Sequence, residues 1–551
     1  MRCLGVLFAL GACGGSTSPT GSGAVTLTLA TPGGALDPKG YTSVDLVLHA
    51  PSGDVWLLSA VAKTEMSTGA AFSGIDLTPG TKVSIEATLR SDTGVAVGYG
   101  RTAFDAALLD EAVIEVPVRR PIAYIAGAVS RDADGRASTP ALHWTEAPAT
   151  FSDLATSTRL DGKTQVGAQA ALMIGAGPSL YMVTQAITDP NGVLNGPAKI
   201  VPISPKDHQP LDALGATITG AAADGAGTDD GAVLVIATST SLFAITTACT
   251  PAPCASSAQL GVARALADGN FARVAVLTGP TGEINAVAIK NRDSATGGAC
   301  SASELWWVPV APADGGMLAP PQKVATGGFC DIATDRGHAY YVDTIKNELG
   351  EVSLDSTGKV VGRAIRVLPE VADTTTSKPT ALAVSNGRAY VGIESPPATS
   401  SLLVVSTTVS MDREVDQPRT LWSESAHQIA RATDFVGVQR QLDATSASID
   451  HIEIGAGGDY VALTTSAHFE GEPILAANFP GMTIDTEELH VFDASSGGVV
   501  QRYRSWCDGI LRNFTLGDIE NWSCAAAEGQ TAAARDFDHH INSMTFLFGK
   551  K

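Results

Sequence analysis

IATDRGHAYYV (332–342), LAVSNGRAYVG (382–392) and IEIGAGGDYVA (452–462) align without gaps. Each is an apolar run, a glycine turn and a second apolar run. Gly337, Gly387 and Gly457 supply the positive φ that a tight hairpin needs. A tyrosine follows each glycine by three residues: Tyr340, Tyr390 and Tyr460. Such a side chain is a large amphipathic filler for the space between neighbouring sheets. Looser copies turn near Gly135, Gly177, Gly231 and Gly282, and in the second of these Tyr181 comes one residue late. The seven turns lie roughly 54 residues apart, a period that marks an array of several-stranded units.

Residues 120–551 therefore read as all-β, with several strands per unit and almost no helix signal. This pattern resembles a β-propeller. The resemblance rests on architecture; no Gly-His…Trp-Asp pair of the WD type occurs. Seven turns predict about seven blades. The run 541–548 is expected to complete the first blade and close the ring, which removes free edges. The spacing breaks down late in the chain. Residues 424–442 read as one short helix, and insertions follow at 469–489 and 508–540. In repeat proteins insertions map to loops on one face, often the binding face.

Residues 24–118 form a separate unit. Val25, Leu27 and Leu29 alternate with Thr26, Thr28 and Ala30; Val44, Leu46 and Leu48 form a second such run, and Val83, Ile85, Ala87 and Leu89 a third. A period of two puts one face on a core and one in water. Turn signals at Pro51-Ser52-Gly53, Thr78-Pro79-Gly80 and Asp92-Thr93-Gly94 separate the runs. About seven short strands in this length resemble an immunoglobulin-like β-sandwich. Pro117 belongs on an edge strand. Arg119-Arg120-Pro121 marks the boundary.

Ahead of the sandwich, Arg2 and the apolar run 4–10 lead into Leu10-Gly11-Ala12-Cys13. A charged start, an apolar stretch and a small-residue cleavage site make a signal peptide. With cysteine first after the cut, the string resembles the lipobox of bacterial lipoproteins. The resemblance implies residues 1–12 as signal peptide and lipid on the Cys13 thiol. Gly14 in place of Asp implies the outer membrane, on its periplasmic face or at the cell surface. Residues 13–23, rich in Gly, Ser and Thr, read as a flexible tether.

The cysteines agree with export. Besides Cys3 and Cys13 the chain holds Cys249, Cys254, Cys300, Cys330, Cys507 and Cys524. An even set in an oxidising compartment predicts disulfides, and proximity favours the pairs 249–254, 300–330 and 507–524. No CxxC pair occurs that would signal zinc–thiolate binding. With 36 Lys and Arg against 57 Asp and Glu, the formal charge of −21 excludes nucleic acid as a partner.

Motifs for chemistry are sparse. Asp132-Ala133-Asp134-Gly135 starts like a calcium loop, but Arg136 and His143 occupy ligand positions, so it reads as a turn. No GxSxG, HExxH, Walker or strand-linked GxGxxG pattern occurs. Asn513-Phe514-Thr515 and Asn521-Trp522-Ser523 match glycosylation sequons, which a bacterial lipoprotein does not normally use. Trp306-Trp307 offers a ring for sugar stacking, although alternation sends one of the pair into the core. Asp536-Phe537-Asp538-His539-His540 is the dense patch of potential metal ligands, with Asp538 and His540 on one side of an extended chain. No cofactor is predicted; a divalent metal there is the one exception considered. The candidate binding face gathers His427, His468, Trp522, Asp538 and His540 from the late insertions. The expected function is a lipid-anchored envelope binding or scaffold protein that presents propeller loops to a protein or glycan partner. The alternatives are a channel enzyme, lactonase-like or quinone-dependent, and a structural part of an outer-membrane assembly.

Overall fold

The computed structural model of the 551-residue chain describes residues 23–34, 36–50, 55–67, 69–75, 82–105, 113–129, 141–145, 154–159, 168–187, 194–204, 206–214, 218–247, 263–279, 282–291, 300, 302–311, 317–354, 360–368, 377–395, 398–407, 418–425, 442–471, 482–494, 497, 499–512, 519–523 and 539–548.

Alternation in the N-terminal unit becomes two facing sheets. One has the order Ala70–Ile75, Gly23–Ala30, Val113–Pro117. The other has the order Val55–Ala62, Ser43–His49, Lys82–Arg90, Ala96–Asp105. The inward residues of the three runs, such as Leu27, Leu46 and Ile85, are fully buried between the sheets. Pro117 ends an edge strand, where its missing N–H costs no ladder bond.

The strand order differs from that of an antibody constant domain. In that fold the second strand pairs with the first and the fifth. Here the second strand pairs with the third and the fifth. The first pairs with the fourth and, in parallel, with the seventh. Alternation dictates which residues face a core; it leaves the choice of neighbouring strand open.

From Ala123 onward the chain is a β-propeller. Seven sheets follow one another among the described residues. Their innermost strands are His539–Phe546, Ala168–Ala176, Ala222–Gly227, Phe271–Thr278, Phe329–Asp335, Lys378–Ser385 and Leu442–Gly455. Each lies against the innermost strand of the next sheet, and the last and first meet across His539–Phe546. This C-terminal strand pairs antiparallel with Ala123–Val129, so the first sheet is built from both ends of the propeller region.

The repeat glycines sit where the first strand of a sheet turns into the second. Gly177, Gly231, Gly282, Gly337, Gly387 and Gly457 all have positive φ. Gly135 differs: it falls between the second and third strands of the first sheet, at residues outside the described set. In that sheet the equivalent corner is the seam between chain ends. Tyr340, Tyr390 and Tyr460 are buried at 8%, 2% and 4% exposure, the first two in clusters spanning two sheets.

The seventh sheet is enlarged. Its first four strands are Leu442–Gly455, Tyr460–Gly471, Met482–Asp493 and Val499–Arg512, with 14, 12, 12 and 14 residues, and Ile519–Ser523 adds a fifth. The innermost strands of the third to sixth sheets have six to eight. At ~3.3 Å per residue the extra length projects about 20 Å. Much of the expected insertion 469–489 is therefore strand. The helix expected over 424–442 falls on residues 426–441, outside the described set, between strand ends.

Candidate functional site

The sandwich docks on the propeller face that carries the glycine turns. Tyr460 Oη donates to the Ala96 carbonyl oxygen at 3.2 Å. Arg90 bridges to Asp459 at 2.8 Å, and Arg101 pairs with Asp229. Tyr99 meets Phe548 edge to face, centroids 6.1 Å apart. An apolar cluster running from Leu36 and Tyr99 to Tyr124, Met182 and Phe548 seals the joint.

Docking leaves a cavity of about 630 Å³ where the channel meets the sandwich. The sandwich contributes His49, Glu86 and Arg101; the turns contribute Asp229, Asp230, Glu283, Arg336 and His338; the inner strands contribute Asp224, Arg273, His451 and Glu453. Donors and acceptors thus both line the wall. The volume is that of a small-molecule site.

Arg101 stands out among these groups. It is 7% exposed. Burial opposes its charge, but Asp229, Tyr99 and Glu86 outweigh that and raise its pKa further. One terminal nitrogen is committed to Asp229, while Nε has no hydrogen-bond partner among the described residues. A buried donor left in this state calls for an acceptor. Close by, His49 lies 3.6 Å from Glu86, and His338 Nδ1 lies 2.7 Å from Glu351. The hydrogen bond to Glu351 raises the His338 pKa and lowers that of Glu351.

Deeper in the channel the seven innermost strands share a device. Each shifts register at the same level, just before Leu172, Asp224, Arg273, Asp331, Ala381, His451 and Ser543. Asp224 accepts the Val274 N–H, Asp331 the Leu382 N–H, and Ser543 the Met173 N–H, at 2.9, 2.9 and 3.1 Å. Each side chain ties its sheet to the next. Arg273 reaches Asp331 at 3.6 Å. Beside His451, Asp450 accepts hydrogen bonds from Ser448 and Ser466. Burial, with the charge of Glu487, pushes its pKa to about 6. Burial and the charge of Asp450 push Glu394 to about 6 as well.

None of these channel residues was singled out from sequence. The available signal was an acid inside an apolar strand, as in AADGAG (222–227) and FCDIATD (329–335). Of the expected binding face, His427 and Asp538 lie outside the described residues. His468 pairs across the seventh sheet with Ser446 and Asp485. The backbone of Trp522 pairs with Gly509, and that of His540 with Ala128. These three positions lie toward the strand ends away from the sandwich, so they do not join the cavity. Cys300 and Cys330 are bonded, linking the fourth sheet's loop to the fifth sheet's inner strand. Cys13, Cys249, Cys254 and Cys524 fall outside the described residues, as do the pairs expected of them. Trp307 is 6% exposed in the core, and the half-buried Trp306 ring is covered by Lys290 at 5.2 Å.

No protein-family model matches the chain, and no curated protein matches it. Solved structures do. A periplasmic gluconolactonase of Pseudomonas aeruginosa is 11% identical, with TM-score 0.36, covering 69% of this chain and 94% of that one. A putative 6-phosphogluconolactonase of Bacteroides fragilis is 11% identical, with TM-score 0.38, covering 77% and 98%. The β-propeller domain of a Myceliophteria thermophila protein is 12% identical, with TM-score 0.34, covering 64% and 96%. None of these likenesses bears on what this chain binds or does.

Proposed function

We propose that this chain is a lipid-anchored cell-envelope binding protein whose seven sheets act as seven blades, and that its cavity takes a sugar or similar polyol from an envelope glycan. The observation that carries this reading is the buried Arg101, whose Nε–H is unmatched among the described residues at a wall that holds both donors and acceptors. Each sugar hydroxyl both donates and accepts, so a sugar could meet the Arg101 Nε–H while also reaching the acids that share its wall. The test is saturation-transfer NMR of the detergent-solubilised chain against a panel of mono- and oligosaccharides. Binding is expected, and Arg101→Lys should abolish it while the circular dichroism spectrum is unchanged. No binding across the panel sinks the reading. The anchor is tested separately: labelled fatty acid should enter the wild type and be absent from Cys13→Ser.

A second reading, a lactonase-like channel enzyme, draws on Asp450. A carboxyl with its pKa near 6, next in sequence to His451 of the cavity lining, is suited to general acid–base work. Hydrolysis of simple lactones, lost in Asp450→Asn, would favour it over pure binding.

A further inference from the structure

Where the sixth and seventh sheets pack, polar groups interrupt an apolar joint. Trp422 and Glu424, alternate residues of Arg419–Ser425, face the seventh sheet with Ser400, which pairs with Glu424. Glu488 and His490 face back from Met482–Asp493, at 1% and 0% exposure. One ligand atom each from Glu424, Glu488 and His490 lie within 4.8 Å of one another. His490 Nε2 is 3.5 Å from Glu488 and 3.3 Å from Thr465 Oγ1. The Trp422 and His490 rings are 5.2 Å apart. Glu488 is buried and Glu424 half-buried, and a cation between them would offset the cost of bringing two carboxylates together beside apolar neighbours.

An independent observation points the same way. Ser400 is 0% exposed, and its hydroxyl has no hydrogen-bond partner among the described residues. The indole N–H of Trp422, 7% exposed, has none either. Both sit on the face that carries Glu424, so the pocket holds hydrogen-bonding capacity that its own protein groups leave unused. A metal-bound water would use it.

We propose that Glu424, Glu488 and His490 form a divalent metal site that clasps the sixth sheet to the enlarged seventh. Two carboxylates and one imidazole suit a borderline cation such as Zn²⁺, with water in the fourth position. Ca²⁺ requires six to eight oxygen ligands, more than this pocket supplies. The site is separate from the Asp538/His540 pair considered from sequence.

The test is calorimetric titration of the full chain, stripped with a chelator, with Zn²⁺ alone. Uptake of one equivalent is expected, with Ca²⁺ failing to compete. Affinity should fall by more than roughly tenfold in His490→Gln. Glu424→Gln, at the half-buried edge where folding is least exposed to damage, should weaken Zn²⁺ by a similar factor. His540→Gln should leave the titration unchanged. An absence of Zn²⁺ uptake by the wild-type chain overturns the proposal. So does uptake that is lost with His540 and retained in Glu424→Gln.

Discussion

His338 and Glu351 meet at 2.7 Å on neighbouring strands of the fifth sheet, and Arg363 closes on the same carboxylate at 2.8 Å. The His338 pKa is raised from its ordinary 6.5, so its contribution to stability is present below that value and lost as pH rises through the folded pKa. Glu351 is lowered from 4.5, so its contribution is present above that value and lost as pH falls. The pair thus acts in mildly acidic solution. In Glu351→Gln the imidazole pKa should drop toward 6.5, read by NMR titration of His338. Asp450 has the opposite sign. Its folded pKa of about 6 exceeds its ordinary 3.8, so the folded state holds the proton more tightly and stability declines as pH rises through that window. Asp450→Asn should flatten this decline, seen as a smaller loss of urea midpoint between pH 4 and pH 7.

Among elements, the inner-strand ties carry the most. Asp331 is 4% exposed, accepts the Leu382 N–H and faces Arg273. Asp331→Ala strands a buried donor beside a charge, at a cost of about 2–4 kcal/mol. Ser543→Ala loses one neutral bond, worth about 1 kcal/mol. Paired denaturant midpoints check the ratio, and equal losses would refute the charge argument. These elements also show what the sequence discloses. Six glycine turns are legible because positive φ has a residue signature. The register shifts beneath them are not, because a bulge inserts one ordinary residue and leaves no mark in composition. Gly135 looks like a seventh turn, yet the first sheet takes its inner strand from the other end of the chain. The candidate site was hidden for a related reason: its wall is gathered from two domains and six of the seven sheets, and only the folded chain puts Arg101 beside Asp229.

In the whole molecule the sandwich and propeller are joined by apolar packing and, among the described residues, by the Arg90–Asp459 and Arg101–Asp229 ion pairs. Gly457 records how close the joint is. A Cβ there would stand 2.5 Å from the Tyr99 ring, at a φ of +67°. The Cys300–Cys330 bond spans 30 residues. In the chain-entropy view it contributes about 4 kcal/mol, and Cys300→Ala with Cys330→Ala should lower the denaturant midpoint accordingly. Reduction should do the same to the wild type.

The pairing of His539–Phe546 with Ala123–Val129 also sets an order of events. The residues that complete the ring leave the ribosome long after the strand they pair with. Until they arrive, the first sheet offers an open groove shaped for one particular strand. A chain ending at residue 538 is then an acceptor waiting for a donor. A synthetic peptide of residues 539–548, supplied in trans, should fill the groove and restore resistance to protease, much as a missing stave restores a barrel. The unfinished ring is therefore vulnerable to any other extended segment that reaches the groove first.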